Sequence, residues 1–475
     1  MAIQAATHDF VVHGIANSDD RLWPSVISAT LVALSAEPVK CTVVPDMKQF
    51  SGFPTKGILD LRGTTEKGTS IWVPEFRNYG TQFHGVENDN PKQVVWKGVA
   101  DIFIEGDLED LQSTDGTINC QLYLSPTPLA SSPEIVEYYE DGTISAKELA
   151  KDETISWQTP FGTARLSTIN EYLHDKMVGV NKATVVIKRP CIRLEVNPQL
   201  VKSLGQLLYD LQSLFDETLW LVSFLSQRRV VWYEAEAVFW YSDHNNNRDM
   251  LRAMIRRNRW LGYEPREEMT FSLVREQSLR AGLFRELLEN YMTSPYHAVI
   301  RRALILLLVS SEKTYIENLY TSVYTALESL VFGLSKGGKS DYLVRSSQFE
   351  RLRKRVRQVI QSEITDVNVA DAMLRKLPEL RRPPFIDQLF RQLAESNINT
   401  SDLWRSKTSM EVELRSLVNR RNTYIHQGAM EDLGVYSADI EHLRVLLQFW
   451  ILRLLECPIE ALDTAVFRYL QHQSS

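Results

Sequence analysis

The pattern of hydrophobic and polar residues changes character near residue 196. Before this point, short β-branched and aromatic runs alternate with turn residues, which is typical of strands. These runs include 40–44, 69–73, 94–99 and 183–187. The turn signals between them include Asp115-Gly116, Asp141-Gly142, Pro54, Pro74 and Pro91. Residues 1–195 are therefore predicted to form a β-rich domain, either sandwich-like or built on a strongly bent sheet.

After Asn197 the apolar residues recur every three or four positions, which predicts helices. The first helix covers 204–225, a run at 228–233 predicts one last strand, and 243–247 is a polar loop. Further helices are predicted at 247–260, 272–291, 296–310, 312–333, 341–362, 366–376, 385–396, 408–427 and 437–455. The fold prediction is an α+β protein, with a mostly helical connecting region at 196–298 and an all-helical domain at 299–475.

Composition and charge narrow the possible partners. Residues 1–195 carry 17 Lys and Arg against 26 Asp and Glu, whereas the rest of the chain carries 36 against 34. The first region is therefore the less suited to bind nucleic acid. Four scattered cysteines without CxxC spacing argue against a disulfide framework and a structural zinc site. With no signal peptide or membrane-spanning run apparent, we expect a cytoplasmic protein with no membrane partner, no metal and no cofactor.

The clearest candidate for chemistry is the run from Arg421 through Asn422 to His426, near the end of the helix predicted at 408–427. Asn422 and His426, four residues apart, share one helical face. Arg421 is about 140° from His426 around an ideal helix, so it must curl around the helix or act from a partner subunit. The residues predicted to pack this helix on a core are Val412, Leu414, Leu417, Val418 and Ile425, and Gly428 is a natural stop after it.

An arginine, an amide and a histidine in this order suit RNA cleavage without a metal. One base removes the proton of the 2′-hydroxyl, and one acid protonates the leaving 5′-oxygen. A guanidinium neutralises the phosphorane that forms between these steps. Because a single histidine cannot easily be both base and acid, a two-fold dimer that brings two copies together is expected.

This motif and its context resemble HEPN domains, in which Arg-Asn-x-x-x-His lies late in an all-helical domain. In that family the motif forms a metal-independent endoribonuclease site between two protomers. The segment 315–330, which includes Glu328, resembles the first long HEPN helix. The resemblance implies that Arg421 and His426 are catalytic, that Asn422 is the intervening polar residue, and that Glu328 lies near the site.

The whole chain is similar to ApeA-type anti-phage proteins of bacteria, closely over 300–470 and loosely before. The resemblance implies a toxic effector of phage defence that acts by abortive infection and cleaves RNA, with tRNA anticodon loops as candidate substrates. Single-stranded loops suit the chemistry because an unstacked nucleotide reaches the in-line geometry that a duplex forbids. The acidic β-rich domain would then be a sensor or restraint, and a phage-derived protein a candidate activator.

Two other functions remain open at this point. The motif can belong to a catalytically inactive HEPN scaffold whose β-rich domain binds a protein or another ligand, and Glu328 can form an ordinary helix salt bridge. The segment from Gly333 to Ser340 matches the phosphate-loop pattern letter for letter, which suggests an NTP-binding switch through Lys339. A phosphate loop follows a strand, however, and the periodicity before Gly333 is helical, so we interpret these glycines as a helix–helix connection.

A basic run also stands out in the helix predicted at 341–362. Arg351, Lys354 and Arg355 fall on one face of that helix. They form either an RNA-binding surface beside the active site or a solvated face balanced by Glu350 and Glu363. The sequence favours neither interpretation.

Overall fold

The computed structural model describes most of the chain. Its backbone is described except at residues 1–5, 18–21, 25, 34–38, 46–56, 66, 88–89, 112–114, 126, 131–133, 139–143, 149–153, 179–180, 243–247, 258–271, 310–314, 336–345, 379–382, 399–406, 428–429, 431 and 464–475. Within that backbone, side chains are not described at 6–59, 78–99, 134–138, 144–148, 170–178, 181–188, 242, 248–249, 346, 407–409 and 427. The chain falls into two compact units, Met1–Leu288 and Glu289–Ser475.

The N-terminal unit is built on antiparallel strands. Numbered β1 to β16 in chain order, they are Ala6–Asn17, Leu22–Pro24, Val26–Ala33, Val39–Pro45, Gly57–Thr65, Ser70–Glu87, Asn90–Ala100, Ile102–Gly106, Thr117–Leu124, Glu134–Tyr138, Ile144–Glu148, Ile155–Thr159, Gly162–Val178, Asn181–Val196, Trp232–Ser242 and Arg248–Arg257. β10 and β11 pair with each other, and the remaining strands form one sheet of 14 strands. The order in that sheet is β12-β13-β14-β9-β15-β16-β8-β6-β5-β1-β3-β4-β7, with β2 beside β1.

Six strands of this sheet close into a ring. Hydrogen bonds run from β6 through β5, β1, β3 and β4 to β7, and β7 pairs again with β6. Strand β6 reaches both neighbours because its first part pairs with β5 and its second part with β7. The strands thus form one continuous sheet that closes on itself, which agrees with the bent sheet of the two predicted alternatives and not with the two separately paired sheets of a sandwich.

Proline 74 does not separate two strands as the sequence predicts. Strand β6 continues through Pro74, and its register against β5 shifts between Leu59 and Leu61. The next residue, Glu75, has a φ of 53°. A bulge at this point accommodates the missing N–H of Pro74 without ending the strand.

The prediction of a helix at 247–260 is wrong, because the structure forms strand β16 there, paired with β15 on one side and β8 on the other. Along β16, Ala253 and Ile255 are buried whereas Arg252 and Met254 are not, and this alternation of buried and accessible side chains is the two-residue period of a strand. Arginine, methionine, leucine and alanine all favour helices locally. Pairing on both sides and burial of alternate residues override that preference, and the sheet continues well past residue 195.

Helix α1 (Leu204–Leu225) packs on this sheet, and its bounds confirm the prediction. The Ser203 hydroxyl caps its first turn by accepting a hydrogen bond from the backbone N–H of Gln206 at 3.2 Å. The Asp216 carboxylate ties the helix to the strands. It accepts a hydrogen bond from Trp232 Nε1 at 3.0 Å and one from Arg257 Nη2 at 2.9 Å.

The rest of the described chain is helical. In chain order the helices are α2 Glu276–Ser278, α3 Phe284–Thr293, α4 His297–Val309, α5 Ile316–Leu334, α6 Ser346–Glu363, α7 Val367–Lys376, α8 Phe385–Glu395, α9 Lys407–Gln427 and α10 Leu433–Leu454. Each helix predicted from residue 296 onward is confirmed. None of the described helices is long and apolar enough to cross a membrane.

Helix α10 lies at the centre of the second unit. Every residue from 443 to 452 is buried, including Arg444 and Gln448. The helix packs against α5, and Trp450 Nε1 donates a hydrogen bond to Ser396 Oγ at 2.9 Å, just after α8. The Asn290 side chain from α3 donates to the carbonyl of Leu455 at 2.9 Å. This helix therefore joins the elements that surround it.

Candidate active site

Helix α9 carries the Arg-Asn-x-x-x-His motif and ends at Gln427, as predicted. Met410, Leu414 and Leu417 form its buried stripe. Val412 and Ile425, which were expected in the core, are 59 % and 54 % exposed. The buried stripe covers only one side of the helix, and Val412 points about 140–160° away from its residues, while Ile425 lies about two turns beyond its last residue.

A carboxylate from another helix holds Arg421. Its Nη2 lies 2.9 Å from Oε1 of Glu328 on α5, and both side chains are roughly a third exposed, at 30 % and 28 %. Its Nη1 donates a hydrogen bond to Oδ1 of Asn422 at 3.3 Å. The guanidinium also lies over the ring of Tyr324, 5.1 Å from the centroid. Arg421 is thus paired and stacked, yet open on one side to solvent.

Glu328 lies beside the motif, where the resemblance to HEPN domains puts an acidic residue. The alternative interpretation, an ordinary salt bridge, also describes this contact, since the partner of Glu328 is Arg421 itself. Burial raises the pKa of Tyr324, the charge of Glu328 raises it further, and Arg421 opposes both. The phenol therefore stays neutral at physiological pH and offers Arg421 a ring face rather than a charge.

His426 is exposed in the last turn of α9, and Asn422 is exposed one turn before it. Among the described residues, none forms a hydrogen bond or an ion pair with His426. Within one chain, the structure brings Arg421, Asn422 and Glu328 into contact but leaves the imidazole free of them. The predicted stop at Gly428 lies outside the described residues.

A second arginine, Arg420, positions the motif, although the sequence did not single this residue out. Its Nε donates to Oδ2 of Asp439 on α10 at 2.7 Å, and its Nη2 bonds to the other carboxylate oxygen. The Asp439 side chain is only 5 % exposed, against 32 % for Arg420. The hydroxyl of Tyr436 donates to the Arg420 carbonyl at 3.4 Å. This bidentate pair fixes α9 against α10.

The sequence signal that could have pointed to Arg420 was an acidic residue, Asp439, on an otherwise apolar helix face. Asp439 follows Tyr436 by three residues and precedes Leu443 by four, and all three are buried. A carboxylate at such a position needs a buried partner, because an unpaired charge there is costly. Arg420 directly before the motif is that partner.

The basic run predicted as an RNA surface lies on α6. Arg351, Lys354 and Arg355 are exposed, and no described carboxylate forms an ion pair with them. Glu350, proposed to balance them, instead pairs with Arg353 at 3.3 Å. The opposite face of α6 packs on α7 through Ile360, Ala370 and Leu377. No hydrogen bond or ion pair joins these three cations to Arg421 or His426 within the described chain.

The segment that matches a phosphate loop begins inside a helix. Gly333 is the second-last residue of α5, and a Cβ at this position would lie 2.6 Å from Cγ2 of Val299 on α4. Gly333 therefore permits two helices to pack closely, a role that differs from the predicted connection between helices. Lys339 and Ser340 lie outside the described residues.

The described side chains include no group of three or more His, Cys, Asp or Glu that could hold a metal ion. Comparison with known proteins finds no matching family model, no matching curated protein and no matching solved structure. The assignment of a function therefore depends on the residues and their geometry.

Proposed function

We propose that the C-terminal unit is a metal-independent endoribonuclease whose site contains Arg421, Asn422 and His426. The observation that supports this most is the arrangement around Arg421. A guanidinium held by Glu328 and Asn422 remains partly open to solvent, and the last turn of the same helix carries an imidazole that no described residue pairs with. Groups for stabilising a phosphorane and for transferring a proton therefore lie within the last two turns of one helix.

Each side chain has a distinct role in this proposal. His426 exchanges a proton with the 2′-hydroxyl or with the leaving 5′-oxygen, and Arg421 neutralises the phosphorane between them. Asn422 and Glu328 orient the guanidinium. Cleavage leaves a 2′,3′-cyclic phosphate and a 5′-hydroxyl, since the 2′-oxygen forms the new bond to phosphorus as the 5′-oxygen departs.

The site needs two chains in this proposal. One His426 supplies the base and the other the acid, so the two helix ends face each other across a two-fold axis. The exposed Ile425 next to the histidine, and Leu433 and Val435 on the first turn of α10, are apolar residues that such an interface would cover. Single-stranded loops, tRNA anticodon loops among them, are the proposed substrates, and Arg351, Lys354 and Arg355 the proposed contacts to phosphates.

The biological role follows from the resemblance. We propose a cytoplasmic effector of phage defence whose ribonuclease activity the N-terminal unit restrains and a phage-derived protein increases. Such a restraint is expected of a nuclease that would otherwise cleave the RNA of its own cell.

The proposal is tested by incubating the purified full chain with total tRNA in EDTA. We expect cleavage products that end in a 2′,3′-cyclic phosphate, with a rate at least a hundredfold lower in His426→Ala because the proton transfer is lost. His442→Ala is the matched control, since His442 lies on α10 in the same unit and pairs with Glu413 at 3.5 Å. Equal cleavage by wild type and His426→Ala would exclude this site, whereas no cleavage by either protein would favour the inactive scaffold.

A further inference from the structure

A polar cleft of about 330 Å³ lies over three strands of the N-terminal unit, β9, β13 and β14. It lies on the face of the sheet opposite to the buried side chains of Ile118, Leu122 and Leu166. The side chains that give it its character are Asn119, Gln121, Thr163, Arg165, Arg193 and Glu195. None of them belongs to the candidate active site.

The strand register places two arginines of this cleft directly opposite each other. Arg165 on β13 pairs with Arg193 on β14, and Arg193 pairs in turn with Gln121 on β9. Side chains directly opposite on neighbouring antiparallel strands have Cβ atoms about 4.5–5.5 Å apart. Like charges directly opposite each other destabilise a sheet, so the two guanidiniums need a compensating anionic partner.

That partner is missing from the described part of the chain. No described carboxylate lies within ion-pairing distance of Arg165 or Arg193. The Nε atom of Arg193 is buried and has no hydrogen-bond partner among the described residues. The Cys191 thiol beside it supplies no charge at neutral pH, because burial raises its pKa more than the hydrogen bond with Ser167 and the nearby Arg193 lower it.

Other arginines of the same sheet show what is unusual about this pair. On β16, Arg252 bonds to Glu236 at 2.5 Å. Arg256 lies 3.1 Å from Glu234 and 3.2 Å from Glu105. The sheet therefore neutralises these neighbouring guanidiniums with its own carboxylates, whereas no described carboxylate pairs with the two guanidiniums in the cleft.

We propose that this cleft binds a small phosphorylated molecule whose phosphoryl group lies between Arg165 and Arg193. Two planar guanidinium forks match the oxygens of a phosphoryl group. Asn119, Gln121 and Thr163 offer hydrogen bonds to the remainder of the ligand. The cleft volume lies at the lower end of the range for small-molecule sites, which suits a molecule of mononucleotide size or smaller.

The surrounding charge favours a small ligand over a nucleic-acid strand. Glu195 lies in the cleft itself, and its carboxylate has no cationic partner among the described residues. A polyanion that crosses the face would meet this carboxylate, whereas a single phosphoryl group held between the arginines avoids it. The whole region 1–195 also carries more acidic than basic residues, 26 against 17.

Isothermal titration of the full chain with pyrophosphate and with adenosine monophosphate tests the site. We expect saturable binding of at least one probe, with the Kd at least tenfold higher in Arg165→Gln and in Arg193→Gln. Arg252→Gln is the matched control, because it removes the same charge from the same sheet outside the cleft. Its Kd should stay within about twofold of the wild type, since the effect of a distant charge is screened.

The variants also carry their own check for folding. Removing one of two opposed arginines relieves repulsion, so Arg165→Gln should not lower the melting temperature. Arg165→Lys keeps the charge but loses the fork, and we expect it to bind more weakly than wild type and more tightly than Arg165→Gln.

Three results would overturn the proposal. The first is that neither probe binds the wild type saturably, and the second is that the glutamine variants bind the probes as tightly as the wild type does. The third is that Arg165→Gln and Arg193→Gln lose as much affinity for a single-stranded oligonucleotide as for the small probes, which would make this face a polyanion surface. Because the readout is binding by the N-terminal unit, these results are independent of ribonuclease activity.

Discussion

At the Arg421 guanidinium, a carboxylate, an amide and an aromatic ring meet. The sequence suggested the acid and the amide, but not the ring of Tyr324. Glu328 and Tyr324 both lie on α5, so the ion pair and the ring contact both join α9 to that helix. The ion pair is partly exposed, so it orients the arginine more than it stabilises the fold.

We expect Glu328→Gln to lower the cleavage rate roughly tenfold to a hundredfold, because a misplaced guanidinium no longer meets the phosphorane. The free energy of unfolding should fall by no more than about 1 kcal/mol, since the pair is partly solvated. Single-turnover cleavage and urea denaturation measure the two effects. Glu350→Gln, which breaks the exposed pair with Arg353 on α6, is the control and should leave both unchanged.

An unchanged cleavage rate in Glu328→Gln, with only a small loss of stability, would reduce this carboxylate to a structural contact. It would also show that Arg421 does not need its orientation from α5.

At the scale of elements, the packing of α4 on α5 depends on a missing side chain. Gly333→Ala would put a methyl group into Val299, so α4 must move or the valine must change rotamer. We expect a loss of about 1–3 kcal/mol in the free energy of unfolding, as for other overpacked contacts. Thermal and urea denaturation measure it.

The control for Gly333→Ala is Thr321→Ala, an exposed position on the same helix that should be nearly neutral. In the double variant Gly333→Ala with Val299→Ala, part of the loss should be recovered, because the smaller side chain vacates the space. A fully additive double variant would contradict the proposed clash.

The helices could be predicted from the sequence better than the strands because their bonds are local. The apolar spacing along 316–334 or 385–395 records the face that each helix buries. Strand β16 has no such local record, since its residues favour helices and one of its two neighbours, β8, lies far back in the chain. The same reasoning applies to the site, where Arg421 lies in a recognisable motif but Arg420 finds Asp439 only after α9 and α10 pack together.

At the scale of the whole molecule, the closed ring of strands could not be predicted from the sequence. Its closure depends on β6 pairing with two partners at its two ends, and on the bulge next to Pro74. Periodicity predicts that strands exist but does not select their partners. Only the general form, a β-rich front followed by helices, followed from the pattern.

The buried thiols of both units give a test of the whole fold. Cys120, Cys191 and Cys457 are at most 1 % exposed, and burial raises the pKa of the Cys457 thiol to about 12. In a Cys41→Ser variant, we expect a disulfide-exchange reagent to leave all three thiols of the native protein unmodified at pH 8. Denaturation should expose all three. Rapid modification without denaturant would contradict the packing.

The same thiols predict how stability depends on pH. The native pKa of Cys457 lies above its value of 9.0 in an unfolded chain. Its contribution is therefore fully present below about pH 9 and is lost as the pH rises toward about 12. Urea denaturation between pH 8 and pH 11 should show this decline, with a shallower slope in Cys457→Ala.

The central position of α10 has a consequence for how the protein is made. The ribosome synthesises α9, with Arg421 and His426, before α10 emerges, yet Asp439 on α10 is what fixes α9 in place. An unfinished chain therefore carries the motif without the helix that assembles it. If the proposed site is correct, we expect a chain that is still being synthesised to have no ribonuclease activity until α10 has emerged and packed on α9.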